Sequence, residues 1–143
     1  MYKSSLTILE NRTVLTVSGD DAKNFLQGLV TNDVDKVSEE NTIYTALLTP
    51  QGKYLHDFFI LKIGDKYYLD CEESRIEDLI RRLRMFKLRT NVIIELANEM
   101  CVIAIYGDRT IEVLSLTNSL GYSKPHVDGK IYTDPRLETI GAR

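Results

Sequence analysis

Two β-rich runs, Thr42 to Thr49 and Tyr54 to Ile63, meet at Thr49-Pro50-Gln51-Gly52, and this junction constrains the fold more than any other feature of the chain. Proline at the second turn position fixes φ, and glycine accepts a left-handed backbone, so the two runs are expected to fold back on each other as an antiparallel hairpin. Gly64-Asp65 supplies a second tight turn into the run Lys66 to Glu72. Three consecutive antiparallel strands follow from these two turns.

Elements on either side of this centre are read from periodicity. Leu6 and Ile8, then Val14, Leu15 and Val17, alternate with polar residues about Glu10-Asn11-Arg12, which predicts a first hairpin. Ala22, Phe25, Leu26 and Leu29 recur at helical spacing and predict a helix over about residues 21–30 with Asp21 as its N-cap. Ser74-Arg75-Ile76-Glu77 reads as a capping box opening a second helix, whose apolar stripe is Ile76, Leu79, Ile80 and Leu83. On its wet side Glu77 with Arg81 and Asp78 with Arg82 are i, i+4 pairs, each contributing roughly 0.2–0.5 kcal/mol. Packing of the stripe therefore decides that helix. Val92 to Leu96 and Cys101 to Tyr106 are further strands, and Thr110 to Leu116 is a short helix candidate. Beyond Ser119, Gly121, Pro125, Gly129 and Pro135 break up a polar segment with one short strand candidate, Lys130 to Thr133, so residues 119–143 are expected to be a loosely ordered tail. The fold class is α+β, antiparallel sheets with packed helices.

Composition narrows the function classes. With 43% apolar and 27% charged residues in 143, the chain can bury one core. A net charge of -3 and a pI near 5.4 argue against a surface built to hold nucleic acid directly. No apolar run approaches the roughly 20 residues that cross a bilayer, and Met1 to Ser5 leads into strand-like sequence rather than a signal-type apolar block. A cytoplasmic chain without membrane contact is expected. Cys71, Cys101, His56 and His126 are too scattered for a metal site, and both cysteines read as small buried hydrophobes.

Candidate binding residues lie on the central hairpin. His56 and Asp57 are neighbours on a strand and point to opposite faces, so they cannot act as one dyad. Leu55, Asp57, Phe59, Leu61 and Ile63 share the more apolar face, and a carboxylate there requires a partner, because burial without one costs several kcal/mol, a rough figure. That partner is either an arginine or turn within the protein or an N–H donor on a polar ligand. Tyr44 and Phe58 are candidates to stack on an aromatic ligand, with core packing as the alternative. Arg81, Arg82, Arg84, Lys87 and Arg89 form a basic cluster at a helix end, explained either by the helix dipole or by an anionic tail, with Arg84 and Arg89 as the anion-binding candidates. RNA is the weaker reading of that cluster, since no aromatic ladder accompanies it. No catalytic constellation is present in the sequence: there is no phosphate-cradling loop, nucleophile elbow or activated cysteine.

The run Phe25-Leu26-Gln27-Gly28-Leu29-Val30-Thr31-Asn32-Asp33-Val34, preceded by Gly19-Asp20-Asp21-Ala22, resembles the YgfZ branch of the folate-binding GcvT-like proteins. So do Ala46 to Lys53 followed by Asp57, then Leu83 to Arg89, Asp134-Pro135-Arg136 and Gly141-Ala142-Arg143, in consistent order over nearly the whole chain. The resemblance implies that residues 1–143 are the amino-terminal part of a folate-binding GcvT-like domain, in which three lobes of a longer protein surround a tetrahydrofolate pocket. It implies a tetrahydrofolate-binding accessory protein in iron-sulfur cluster assembly or repair and thereby tRNA modification, with a carboxy-terminal lobe or iron-sulfur assembly proteins as partners. The glycine-cleavage relatives of that branch are aminomethyltransferases, the alternative function; a non-catalytic fragment that docks onto a missing lobe is another. Asp57 falls at the folate-contacting aspartate of a Gly-x-x-x-Asp-Asp-like segment, with His56 in place of the first aspartate. The later Lys-Gly-Cys-Tyr-x-Gly-Gln-Glu motif of the branch does not occur here, so neither Cys71 nor Cys101 inherits its cysteine and the fold is incomplete relative to the family.

Overall fold

The structure is a computed structural model that describes residues 3–143; Met1 and Tyr2, read above as part of the opening segment, lie outside the described residues. In chain order its strands are β1 (Ser4–Ile8), β2 (Arg12–Ser18), β3 (Ile43–Leu48), β4 (Tyr54–Ile63), β5 (Lys66–Glu72), β6 (Ile93–Leu96), β7 (Ile103–Gly107), β8 (Ser123–His126) and β9 (Gly129–Tyr132). Its α-helices are α1 (Ala22–Gln27), α2 (Ile76–Phe86) and α3 (Thr110–Val113). The central sheet is five-stranded and antiparallel in the order β3-β4-β5-β2-β6, and two-stranded sheets β1-β7 and β8-β9 flank it. This is the expected α+β architecture, with β3, β4 and β5 joined by the two predicted turns. Gly52 stands at a φ of 83°, and its N–H donates to the Thr49 carbonyl at 2.9 Å, as the Pro-Gln-Gly turn requires.

The two faces of the sheet bury different layers. Leu15, Val17, Phe58, Ile60 and Leu69 meet α1 and α2 through Phe25, Leu26, Leu79 and Leu83 in the main core. The opposite face carries Phe59, Leu61 and Tyr132, packed by Tyr44, Ile63 and Tyr68. Strand alternation makes this division, since Phe58 and Phe59 are sequence neighbours sent to opposite sides.

Several local expectations are corrected. β1 pairs with β7, not β2, because the chain changes sheets at the Glu10-Asn11 turn. Helix α1 is only six residues long; Val30 leaves it to bridge Leu47. Asp21 forms no side-chain cap, since its carboxylate accepts the Asn91 N–H at 2.7 Å instead. The capping box does not form either: a 3-10 turn at Glu73–Arg75 precedes α2, and the Ser74 hydroxyl turns back to Glu72. Of the helix pairs, Asp78 takes both Arg81 and Arg82. Cys101 is exposed, whereas Cys71 is buried as expected. Among the described residues no helix is long and apolar enough to cross a membrane.

Residues 119–143 are not a loose tail. The β8-β9 hairpin is fastened along residues 38–42: the Thr42 N–H donates to the Gly121 carbonyl at 2.8 Å, the Ser123 N–H to the Glu40 carbonyl at 2.9 Å, and the Thr42 and Ser123 hydroxyls lie 2.7 Å apart. Lys130, its ammonium buried, donates to the carbonyl and carboxylate of Glu39 and to the Lys62 carbonyl. The polarity that looks like a disordered tail in sequence is spent on these bonds. Gly121 sits at a φ of 79°, where a Cβ would strike the Thr42 carbonyl. Gly121→Ala is therefore expected to destabilise the fold by about 1–3 kcal/mol in chemical denaturation, from backbone strain and the lost close approach together.

Candidate functional site

Asp57 projects from β4 on the face that α1 and α2 do not cover. Its two carboxylate oxygens each accept a tyrosine hydroxyl, one from Tyr44 on β3 and one from Tyr54 at 2.7 Å. Tyr44 reaches it from the adjacent strand, where Ala46 stands opposite Asp57. Tyr54 reaches it because of a β-bulge: Leu47 pairs with His56 but Leu48 pairs with Tyr54, so Leu55 is the extra, unpaired residue. The bulge breaks the alternation and brings Tyr54 to the side of Asp57, while Leu55 packs against the main core.

Partial burial pushes the Asp57 pKa up, but the hydroxyls of Tyr44 and Tyr54 and the charge of Arg12 outweigh it and hold the carboxyl below its usual range. Conversely, burial first and the Asp57 hydrogen bond second push the Tyr44 phenol up to about 12. Asp57 is thus an ionised acceptor with neutral donors on each oxygen. A carboxylate offers about four lone-pair positions, and the tyrosines occupy two.

Beside this group lies a layer of arginines and aromatics. The Tyr44 and Phe59 rings stand 5.1 Å apart at 44°. Around Phe59 the guanidinium carbons of Arg143, Arg136 and Arg12 lie 4.4, 4.9 and 5.9 Å from the ring centroid. Asp70, 2% exposed, binds Arg12 and Arg143, each at 2.7 Å, and the buried Asp134 binds Arg136 at 2.7 Å. These three arginines are balanced by Asp57, Asp70 and Asp134. A cleft of about 530 Å³ opens next to the layer, lined among others by Asn32, Lys36, Thr42, Tyr44 and Arg136. Asp57 is not among the residues that line the cleft, but its partner Tyr44 is.

The structure brings together only part of the candidate set. Tyr44 and Asp57 touch, whereas Phe58 is fully buried in the main core on the other side of the sheet and cannot stack on anything near them. Phe59 is the aromatic that shares their face, backing Tyr44 and Arg136. Arg84 and Arg89 are exposed, Arg84 on α2 and Arg89 just beyond it, and α2 covers the face opposite Asp57, so they form no common site with it. His56 is buried on the α2 side with its Nε2 2.8 Å from Asp78, as the alternation of faces predicts. The arginine partner considered for Asp57 is replaced by tyrosines. Arg136, Arg143 and Lys36 are additions that periodicity could not find, although the blocks around Arg136 and Arg143 are among those that carry the family resemblance. Among the described residues no three His, Cys, Asp or Glu side chains converge as metal ligands.

The cleft thus offers a ligand the Tyr44 ring as an aromatic face and Lys36 and Arg136 as cations, with the Asp57 carboxylate joined to it through the Tyr44 hydroxyl.

Comparison with known proteins gives the family and the fold. The family described as GCVT N-terminal domain matches residues 7–125. The mitochondrial iron-sulfur cluster assembly factor IBA57 homolog of Neurospora crassa is 31% identical over 150 residues, covering 99% of this chain and 34% of that protein. The aminomethyltransferase of Chloroherpeton thalassium is 35% identical over 101 residues, covering 69% of this chain and 28% of that protein. Among solved structures, the glycine cleavage system aminomethyltransferase T of Bartonella henselae superposes with a TM-score of 0.75 at 15% identity, over 92% of this chain and 38% of that one. The chain thus spans about a third of the length of the proteins it matches.

Because the folded pKa of Asp57 is depressed, its ionised form stabilises the fold above the unfolded carboxylate pKa of about 3.9, and this contribution disappears as pH falls through the folded value. The stability deficit of Asp57→Asn, measured by urea denaturation, is accordingly expected to be largest near neutral pH and to close at the acid end. A deficit that stays constant with pH would show that the charge on Asp57 contributes nothing.

Proposed function

The chain belongs to the GCVT N-terminal domain family, and on that premise we propose that it is a tetrahydrofolate-binding accessory protein acting in iron-sulfur cluster assembly or repair and thereby in tRNA modification. The observation that carries the reading is Asp57: an ionised acceptor, oriented by two tyrosine hydroxyls, beside an aromatic and guanidinium-lined cleft. In this reading the pterin enters the cleft far enough past Tyr44 to give its N–H groups to the lone-pair positions of Asp57 that the tyrosines leave open, the Tyr44 ring lies along the pterin, and Lys36 and Arg136 take the glutamate carboxylates. When bound, the reduced folate supplies a one-carbon acceptor. The chain's own residues bind and orient it. Burial pushes the Cys71 thiol far up, which leaves it unreactive. Relatives named iron-sulfur cluster assembly factors support the assignment to that process.

Since the chain spans about a third of its relatives, the remaining walls of the folate pocket are assigned to a carboxy-terminal lobe. A fragment that docks onto such a lobe without binding folate itself is the less demanding form of this proposal. Aminomethyltransferase activity is the second reading, favoured by relatives of that name. It is weakened by His56, which stands where the transferase pattern has its first aspartate and is committed to Asp78 behind the sheet.

Calorimetric titration with 5-formyltetrahydrofolate tests the binding. Saturable binding is expected, weakened about ten- to a hundredfold in Asp57→Asn, the loss of about 1.5–3 kcal/mol for hydrogen bonds to a charged group. Phe58→Leu is expected to leave the affinity of the folded fraction unchanged. Equal affinity in wild type and Asp57→Asn, or no binding at millimolar ligand, rejects the reading for this chain.

A further inference from the structure

The two edges of the central sheet are treated differently. On the β3 edge the Ala46 carbonyl accepts the Thr31 N–H at 2.9 Å, the Ala46 N–H donates to the Thr31 hydroxyl at 3.1 Å, and the Tyr44 carbonyl accepts from the Asn32 side chain at 3.0 Å. That edge is closed by the segment after α1. The β6 edge has no such cover. The Ala97 N–H donates to the Val14 carbonyl, which with the β2-β6 register turns the backbone groups of Ile93 and Glu95 toward β2 and those of Ile94 and Leu96 outward. Among the described residues no backbone bond reaches these outward groups.

Alongside this edge runs a groove of about 520 Å³ lined by Glu77, Ile80, Arg81, Arg84 and Leu96. Leu96 is 43% exposed, and Ile93, on the other face of the strand, 51%. Residues 76–89 hold five cations, Arg81, Arg82, Arg84, Lys87 and Arg89, against two carboxylates, Glu77 and Asp78, a local net charge of +3 in a chain whose net is -3. Asp78 serves Arg81 and Arg82, and among the described residues Arg84 has no carboxylate partner.

We propose that the β6 edge and the α2 groove are a docking site for an extended segment of a partner protein, added as a sixth strand, with apolar and acidic side chains alternating into the groove. Strand addition would satisfy the outward groups of Ile94 and Leu96, and alternate side chains would enter the groove over Ile80 and Leu96 with a carboxylate at Arg84. A second copy of this chain fits poorly, because pairing β6 with β6 sets two α2 segments of like charge side by side. The four-residue length of β6 and its Glu95 further discourage self-pairing.

The probe is the acetylated hexapeptide Val-Thr-Val-Lys-Glu-Thr, together with its reversed sequence, titrated into the ¹⁵N-labelled protein. Its odd positions offer apolar, apolar and acidic side chains to one face, and its lysine faces Glu95. The amides of Ile94 and Leu96 are expected to shift and gain exchange protection. Binding is expected to weaken about fivefold or more in Arg84→Glu and as salt rises. Leu96→Ser is expected to weaken it by removing an apolar contact while leaving the salt dependence in place. Unchanged Ile94 and Leu96 amides at millimolar peptide of either direction overturn the proposal. Binding equal to that of the unmodified peptide in both the odd-position and the even-position N-methylated forms does so too, as does dimerisation through β6.

Discussion

Asp70 fastens the end of the described chain to the middle of its sheet. It lies on β5, nearly excluded from water, and grips Arg12 from the neighbouring strand with one oxygen and Arg143 with the other. Arg12 also donates to the Asp70 backbone carbonyl at 2.8 Å. A buried carboxylate left without such partners would cost about 3–5 kcal/mol, so the three residues hold one another in place. The consequence is positional. Arg143 is drawn over Phe59, the β9 strand closes over the sheet with Tyr132 beneath it, and the Asp134 to Arg136 turn comes to rest against Tyr44. The wall of the cleft beside Asp57 is therefore built by residues far apart in sequence.

This remote assembly explains what sequence reading could and could not supply. The hairpins β3-β4 and β4-β5 are legible because each rests on a turn whose chemistry is local: Pro50 and Gly52 in one, Gly64 in the other. The face on which Asp57 lies is legible for the same reason, since alternation along a strand is a two-residue rule. The β1-β7 pairing is not, because nothing local tells Leu6 and Ile8 to choose Ile105 and Ile103 over the adjacent β2. Nor is the order of residues 119–143. Their Gly, Pro and polar side chains look like loop in isolation and become structural only where Thr42, Glu40 and Glu39 offer partners.

Phe58 and Tyr54 show how one residue of offset decides a site. Regular alternation places Tyr54 with His56 and away from Asp57, yet the bulge at Leu55 reverses its side. Phe58 and Phe59 are equally aromatic and equally strand-forming, and only the parity relative to Asp57 separates a core residue from one that backs the cleft. The same parity separates the two basic groups of the molecule. Arg136 and Arg143 belong to the Asp57 face, whereas Arg84 borders the opposite side, where it lines a groove along an open sheet edge instead.

The central claim is that the Asp57 face is where a reduced folate is held. Tyrosine labelled with ¹³C at Cζ reports directly on the two phenols that orient that carboxylate, with resonances assigned by Tyr44→Phe and Tyr54→Phe. On saturation with 5-formyltetrahydrofolate the account predicts that the Tyr44 and Tyr54 signals move together while Tyr67, on the α2 side of the sheet, stays in place. Saturable binding that leaves Tyr44 and Tyr54 unmoved would contradict it.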